Sequence, residues 1–178
     1  MAKRNKVPEF LKMANDLKKN ASRYAASESV KFFKESFVKG GFTDSSFLPW
    51  KKSKTPLSGK RTLYKTGELM QSIRKKKETL EEVIIEADSD HGQIHNNGGY
   101  IVVTTAMKRF FWAKYYSFKG RNSEKAAFCK AMALMRTGKK IKIPKRQFMG
   151  ESKVLMDNFK SFFEGRINIA FKQYLNNK

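Results

Sequence analysis

The sequence predicts an α+β fold: a small antiparallel sheet packed against long N- and C-terminal helices, with an inserted helical hairpin. Three observations point there. Apolar residues recur at spacings of three and four at both ends of the chain, as they do on one face of a helix. A β-branched run, Val83-Ile84-Ile85-Glu86-Ala87, follows a strongly basic one across a polar turn. Between this pair and the C-terminal period lie two shorter helical stretches separated by Lys119-Gly120-Arg121-Asn122.

Taken in order, Val7 to Phe37 reads as one long helix. Phe10, Ala14, Leu17, Ala21, Tyr24 and Ala25 form its stripe, and Phe33 and Phe37 extend it. Pro8 suits a first turn, and Gly40-Gly41 ends the run. Residues 42–65 have loop chemistry, punctuated by Pro49, Pro56 and Gly59, with Phe47, Leu48 and Trp50 as apolar anchors. Trp50 is expected over an edge of the core. Thr66 is expected to cap a short helix running through Ile73, with Leu69, Met70 and Ile73 on one face. Lys75–Thr79 and Val83–Ala87 then form a hairpin turning at Thr79–Glu82, which sets basic residues opposite Glu81, Glu82 and Glu86. The stretch Gly92–Gly99 is a short helical turn ended by glycines. Helices are expected over 105–118 and over 123–136, the second capped by Ser123, so that a basic-aromatic hairpin occupies about 104–137. Lys140–Ile143 alternates as a short strand ended by Pro144. Ser152–Leu175 closes the chain as an amphipathic helix with Leu155, Phe159, Phe162, Phe163, Ile167, Ala170 and Tyr174 on its stripe.

Composition bounds the function. The chain has 178 residues and a net charge of +22, at 40% hydrophobic content. That length suits one domain spanning 1–178, and that hydrophobicity excludes a disordered basic tail. Cys129 is the single cysteine, which excludes an internal disulfide framework and a cysteine-based zinc cluster. No apolar run approaches the roughly 20 residues of a membrane span, and the N-terminus lacks a signal-peptide core, so a soluble protein made inside the cell and without membrane partners is expected. The charge is divided: residues 1–76 carry 19 basic and 6 acidic groups, 77–103 carry 1 and 6, and 104–178 carry 18 and 4. A single basic arm is thereby excluded.

Catalytic chemistry finds little support. Asp90-His91 and His95 superficially resemble an HNH nuclease, but no histidine follows His95 to complete such a metal site. Ser58-Gly59-Lys60 resembles the end of a phosphate-binding loop, yet Lys54 stands where its first glycine belongs and Arg61 where Ser or Thr belongs. Cys129, amid Ala126, Ala127, Ala131 and Met132, reads as a buried structural thiol. A non-enzymatic protein with no metal and no cofactor is expected. The aromatic-basic run holds Lys108, Arg109, Trp112, Tyr115, Tyr116 and Arg121, a pattern that serves either bases and phosphates or a protein face.

Three blocks in this order resemble the phage virion morphogenesis family, which includes tail-completion proteins and Mu-type G proteins. The first is Trp50, a basic gap, then Leu63-Tyr64-Lys65-Thr66-Gly67-Glu68-Leu69-Met70-Gln71-Ser72-Ile73. The second is Ile94-His95-Asn96-Asn97-Gly98-Gly99, and the third is Ile143-Pro144-Lys145-Arg146-Gln147-Phe148-Met149-Gly150. Asn96, Lys145 and Gln147 depart from the family pattern, and residues 100–142 are an enlarged connection to which it does not extend. Arg146 either clamps a local carboxylate or backbone carbonyls, or reaches a neighbouring subunit. The resemblance implies a virion component at the head–tail junction, assembled in the host cytoplasm. It implies a ring of six copies that contacts other neck and tail proteins and meets DNA in its channel. The alternative is a basic nucleic-acid-binding protein working through 108–121.

Overall fold

The computed structural model describes residues 10–59 and 61–176. The expected helix start at Val7 and Pro8 lies outside them. Helix α1 runs Phe10–Lys39 and stops at Gly40, whose φ of 72° reverses the chain and whose N–H donates to Ser36 O. Its buried face is made mostly of small residues. Ser22, Ala26, Ser29, Phe33 and Ser36 follow the helical period and are buried, whereas Ala14 of the expected stripe is exposed. Ser22 Oγ satisfies itself on Lys18 O at 3.0 Å, so a hydroxyl is buried at little cost. Small side chains let α1 lie close to the strands and helix packed against it.

The segment expected as a loop begins with a tight hairpin instead. Strands β1 (Gly41–Thr43) and β2 (Phe47–Pro49) pair antiparallel, with Phe42 opposite Leu48. Phe42 points into the core, while Phe47 and Leu48 stay exposed. A backbone bond from Trp50 N to Gly40 O closes the ladder at 2.8 Å.

The short helix after it is smaller than expected. Helix α2 spans Glu68–Gln71, and its N-cap is Gly67, at φ 86°, rather than Thr66. Thr66 Oγ1 reaches Glu68 N only at 3.5 Å. Ile73 falls not in this helix but at the start of β3 (Ile73–Glu78), where it is 1% exposed. Strand β3 pairs antiparallel with β4 (Val83–Ala87) across the expected turn, with a register shift between Lys75 and Lys77. Glu86 accepts from both Arg74 and Lys76, and Lys77 pairs with Glu82. Hydrogen bonding to Lys76 is the main reason the Glu86 carboxyl titrates below its ordinary value. These pairs are exposed and fix register more than they add stability.

Helix α3 (Gly92–Asn97) leads into β5 (Gly99–Val102), which pairs antiparallel with β6 (Lys140–Ile143). Helices α4 (Thr105–Phe118) and α5 (Ser123–Ala133) lie between these two strands, so both ends of the helical hairpin are fastened at one ladder. Val103 N donates to Lys139 O, and Gly138 N to Val103 O, extending that stem. The cap of α5 is Asn122, not Ser123. Asn122 is extended, and its side-chain oxygen accepts from Lys125 N at 2.9 Å. Ala126, Cys129 and Ala133 form the buried face of α5, and Phe111 of α4 meets Phe128 edge-on at 6.1 Å. Burial raises the Cys129 thiol above its ordinary value, as suits a structural cysteine.

Helix α6 (Lys153–Asn176) runs back along α1. Ser152 Oγ caps it on Leu155 N, and Asp44 accepts from Lys153 N. Tyr24 stacks on Phe162 at 3.8 Å and meets Phe159 edge-on at 6.1 Å. Leu155 is buried and Phe159 partly so, but Phe163 of the expected stripe faces solvent. The side chain of Tyr174 lies outside the described residues.

The architecture is therefore α+β, with its strands divided among three two-stranded antiparallel sheets instead of one. One core joins Phe33, Phe37, Phe42, Trp50, Ile73, Phe148 and Leu155. Among the described residues no helix is long and apolar enough to cross a membrane.

Candidate functional site

The three sequence blocks, separated by tens of residues, meet at one junction. The chain from Pro144 to Glu151 has no regular structure, so its backbone polar groups need partners from elsewhere. They find them in the other two blocks. Trp50 Nε1 donates to Gln147 O at 2.7 Å. Arg146 N donates to His95 O at 2.8 Å, and Arg146 Nε donates to Lys51 O at 2.9 Å. Asn96 Oδ1 accepts from both Phe148 N and Met149 N, at 2.9 and 3.0 Å.

These bonds seat Phe148 in the core. It is 1% exposed, 5.1 Å from the Phe37 ring, and Phe37 in turn meets Trp50 edge-on at 5.4 Å. Gly98 permits the close approach. Its φ is 72°, and a Cβ there would lie 2.8 Å from Lys145 N. Pro144 follows β6 and is half-buried, while Gly150 takes φ 140° before the last helix. Leu63 and Leu69 pack on the core edge, Leu63 at a φ of 58° that few leucines adopt. Arg146 thus clamps a backbone carbonyl, one of the roles its type allows, and has no ion pair among the described residues.

Asn96 is the hub that sequence reasoning passed over. As a departure from the family pattern it carried no role, and its two acceptor bonds span more than fifty residues, so no local signal marks it. His95 beside it is partly buried, and its Nδ1 is enclosed without a hydrogen-bond partner. Burial, then the Arg146 charge, then His91, hold its pKa below the ordinary histidine value.

Five of the six aromatic-basic residues share one face of α4, since Lys108, Arg109, Trp112, Tyr115 and Tyr116 follow the i, i+1, i+4, i+7, i+8 spacing of a helix. Arg109, Tyr116 and Arg121 are exposed, Lys108, Trp112 and Tyr115 are half-buried, and Arg121 sits in the turn between the helices. Trp112 meets Tyr115 edge-on at 5.7 Å and lies against Tyr116 at 6.1 Å, so the rings pack chiefly on one another. Among the described residues no group of three or more His, Cys, Asp or Glu side chains is placed to hold a metal ion.

At the junction Trp50 Nε1, Arg146 N and Nε, and Asn96 Oδ1 all serve to hold backbone, which makes it a structural lock. No protein-family model, no curated protein and no solved structure matches this chain.

Proposed function

We propose that this protein is a non-enzymatic structural component of a phage particle, completing the tail or neck at the head–tail junction as a ring of six copies. The observation that carries the assembly half of this reading is the surface. Large apolar side chains lie open on β2 (Phe47, Leu48), on β5 (Tyr100, Ile101, Val102) and on α6 (Met156, Phe163, Ile169, Phe171). Several separate apolar patches on one subunit suit contacts with two neighbours and with adjoining particle proteins.

The virion half rests on the resemblance of the three blocks, and the junction supports it in one respect: Trp50, His95, Arg146 and Phe148 converge. Residues that recur for mechanical reasons belong in such a place. DNA passing through the channel would meet a chain of net charge +22. Solution mass by analytical ultracentrifugation tests the assembly. Six-fold closed species at tens of micromolar are expected, and a monomer at every concentration overturns it. The second reading, nucleic-acid binding through 108–121, is favoured by the exposure of Arg109, Tyr116 and Arg121. It requires a binding constant that falls steeply with salt and that drops when Tyr116 is replaced.

A further inference from the structure

The loop between β2 and α2 folds against the motif junction and leaves a cleft of 660 Å³ between them. Its charge is one-sided. Arg61, Lys65 and Arg146 line it together with His91 and His95, and Glu68 is the one carboxylate among its described lining residues. Arg146 is the unusual member. It is 8% exposed, yet only its Nε has an acceptor, Lys51 O, and no carboxylate pairs with it among the described residues. A guanidinium carries five N–H donors, and buried charges are ordinarily paired. Four of those donors therefore have no acceptor on the described protein.

Other features of the cleft suit an anion as well. His95 Nδ1, in the same lining, is enclosed and unpartnered. Arg61 is held over the Tyr64 ring, 5.5 Å from its centre, so its charge is placed rather than loose. The loop that carries it is tightly folded: a Cβ on Gly59 would lie 2.7 Å from Tyr64 O. Three positive charges, two of them held in place, against one negative leave room for a dianion, and a planar guanidinium fork matches phosphate oxygens.

We propose that this cleft binds a phosphate group, with Arg146 as the anchor at its base, Arg61 and Lys65 at its rim, and the His95 ring in its wall. The site is independent of the assembly reading and stands whether or not the chain forms a ring. The phosphate is carried either by a free nucleotide or by a nucleic-acid backbone.

The test uses the full chain in phosphate-free buffer at constant ionic strength, titrated with inorganic phosphate, deoxyadenosine monophosphate and a short single-stranded deoxyoligonucleotide. The readout is the pair of histidine side-chain NMR signals, since the chain has two histidines, and His91→Gln assigns them. Inorganic phosphate is expected to shift the His95 signals saturably, and chloride is not. Arg61→Gln with Lys65→Gln, on the exposed rim, is expected to weaken binding about tenfold or more, while Arg146→Gln abolishes it. Should Arg146→Gln fail to fold, the rim variant decides. An oligonucleotide that saturates at far lower nucleotide concentration than the mononucleotide identifies a backbone source, and equal concentrations identify a free nucleotide. An unshifted His95, an equal shift with chloride, or a rim variant that binds phosphate unchanged overturns the site.

Discussion

Replacing Asn96 with alanine tests the lock most sharply. The substitution removes one oxygen that accepts from two backbone N–H groups, those of Phe148 and Met149. A buried donor left without an acceptor costs about 1–3 kcal/mol. The position is only partly buried, so water recovers some of this, and about 2–3 kcal/mol for the pair is expected. Set against the ~5–15 kcal/mol that holds a domain together, that is a large share. With a urea slope of about 2 kcal/mol per molar, the midpoint falls by about 1–1.5 M. Asn96→Asp keeps both acceptor geometries and loses only the exposed bond that Asn96 Nδ2 donates to Asn97 Oδ1, so it should stay closer to the parent. Urea titration followed by tryptophan fluorescence measures both variants, and amide exchange at Phe148 and Met149 locates the effect. A loss under about 0.5 kcal/mol in Asn96→Ala, or an equal loss in Asn96→Asp, would refute the hub.

Gly98→Ala and Gly138→Ala share a positive φ, but only the first places a Cβ against backbone, 2.8 Å from Lys145 N, while the second meets nothing within 4 Å. Gly138→Ala should cost about 1–2 kcal/mol and Gly98→Ala clearly more, as read by thermal unfolding. Asn122→Ala should destabilise α5 by about 1 kcal/mol and Ser123→Ala by much less, because Asn122 holds the cap; amide exchange of Lys125 reports it. The pH dependence follows from His95, whose pKa in the fold lies below 6.5. Between that value and 6.5 the unfolded chain binds the extra proton, so stability falls as pH drops through this window and levels off below it. In phosphate-free buffer His95→Gln should flatten the slope of urea midpoint against pH there, and an unchanged slope would exclude His95 as its source.

Much of the fold was legible because its signals are local. Apolar spacing located α1, α4, α5 and α6 to within a few residues, and the basic run facing Glu82 and Glu86 located the β3–β4 hairpin. The misses have physical causes. Strands β1 and β2 have three residues each, too few for alternation to show, and Phe47 and Leu48 face outward. Ser22, Ser29 and Ser36 read as polar positions on α1 but are buried, because small hydroxyl residues allow close packing and Ser22 bonds back to Lys18. Thr66 gave way to Gly67 as the cap because the turn into α2 needs positive φ. At the junction, Trp50, Arg146 and Phe148 stood out as residues, but their meeting did not. The bonds from Trp50, Arg146 and Asn96 span fifty to a hundred residues, and only the folded chain brings their ends together.

Placement in a particle is tested most directly by a cryo-electron microscopy reconstruction of intact particles at side-chain resolution. Six copies of this chain are expected, closed into a ring between head and tail, with α1 and α6 side by side and the apolar faces of β2, β5 and α6 covered by neighbours. A neck and tail fully accounted for by other chains would contradict it.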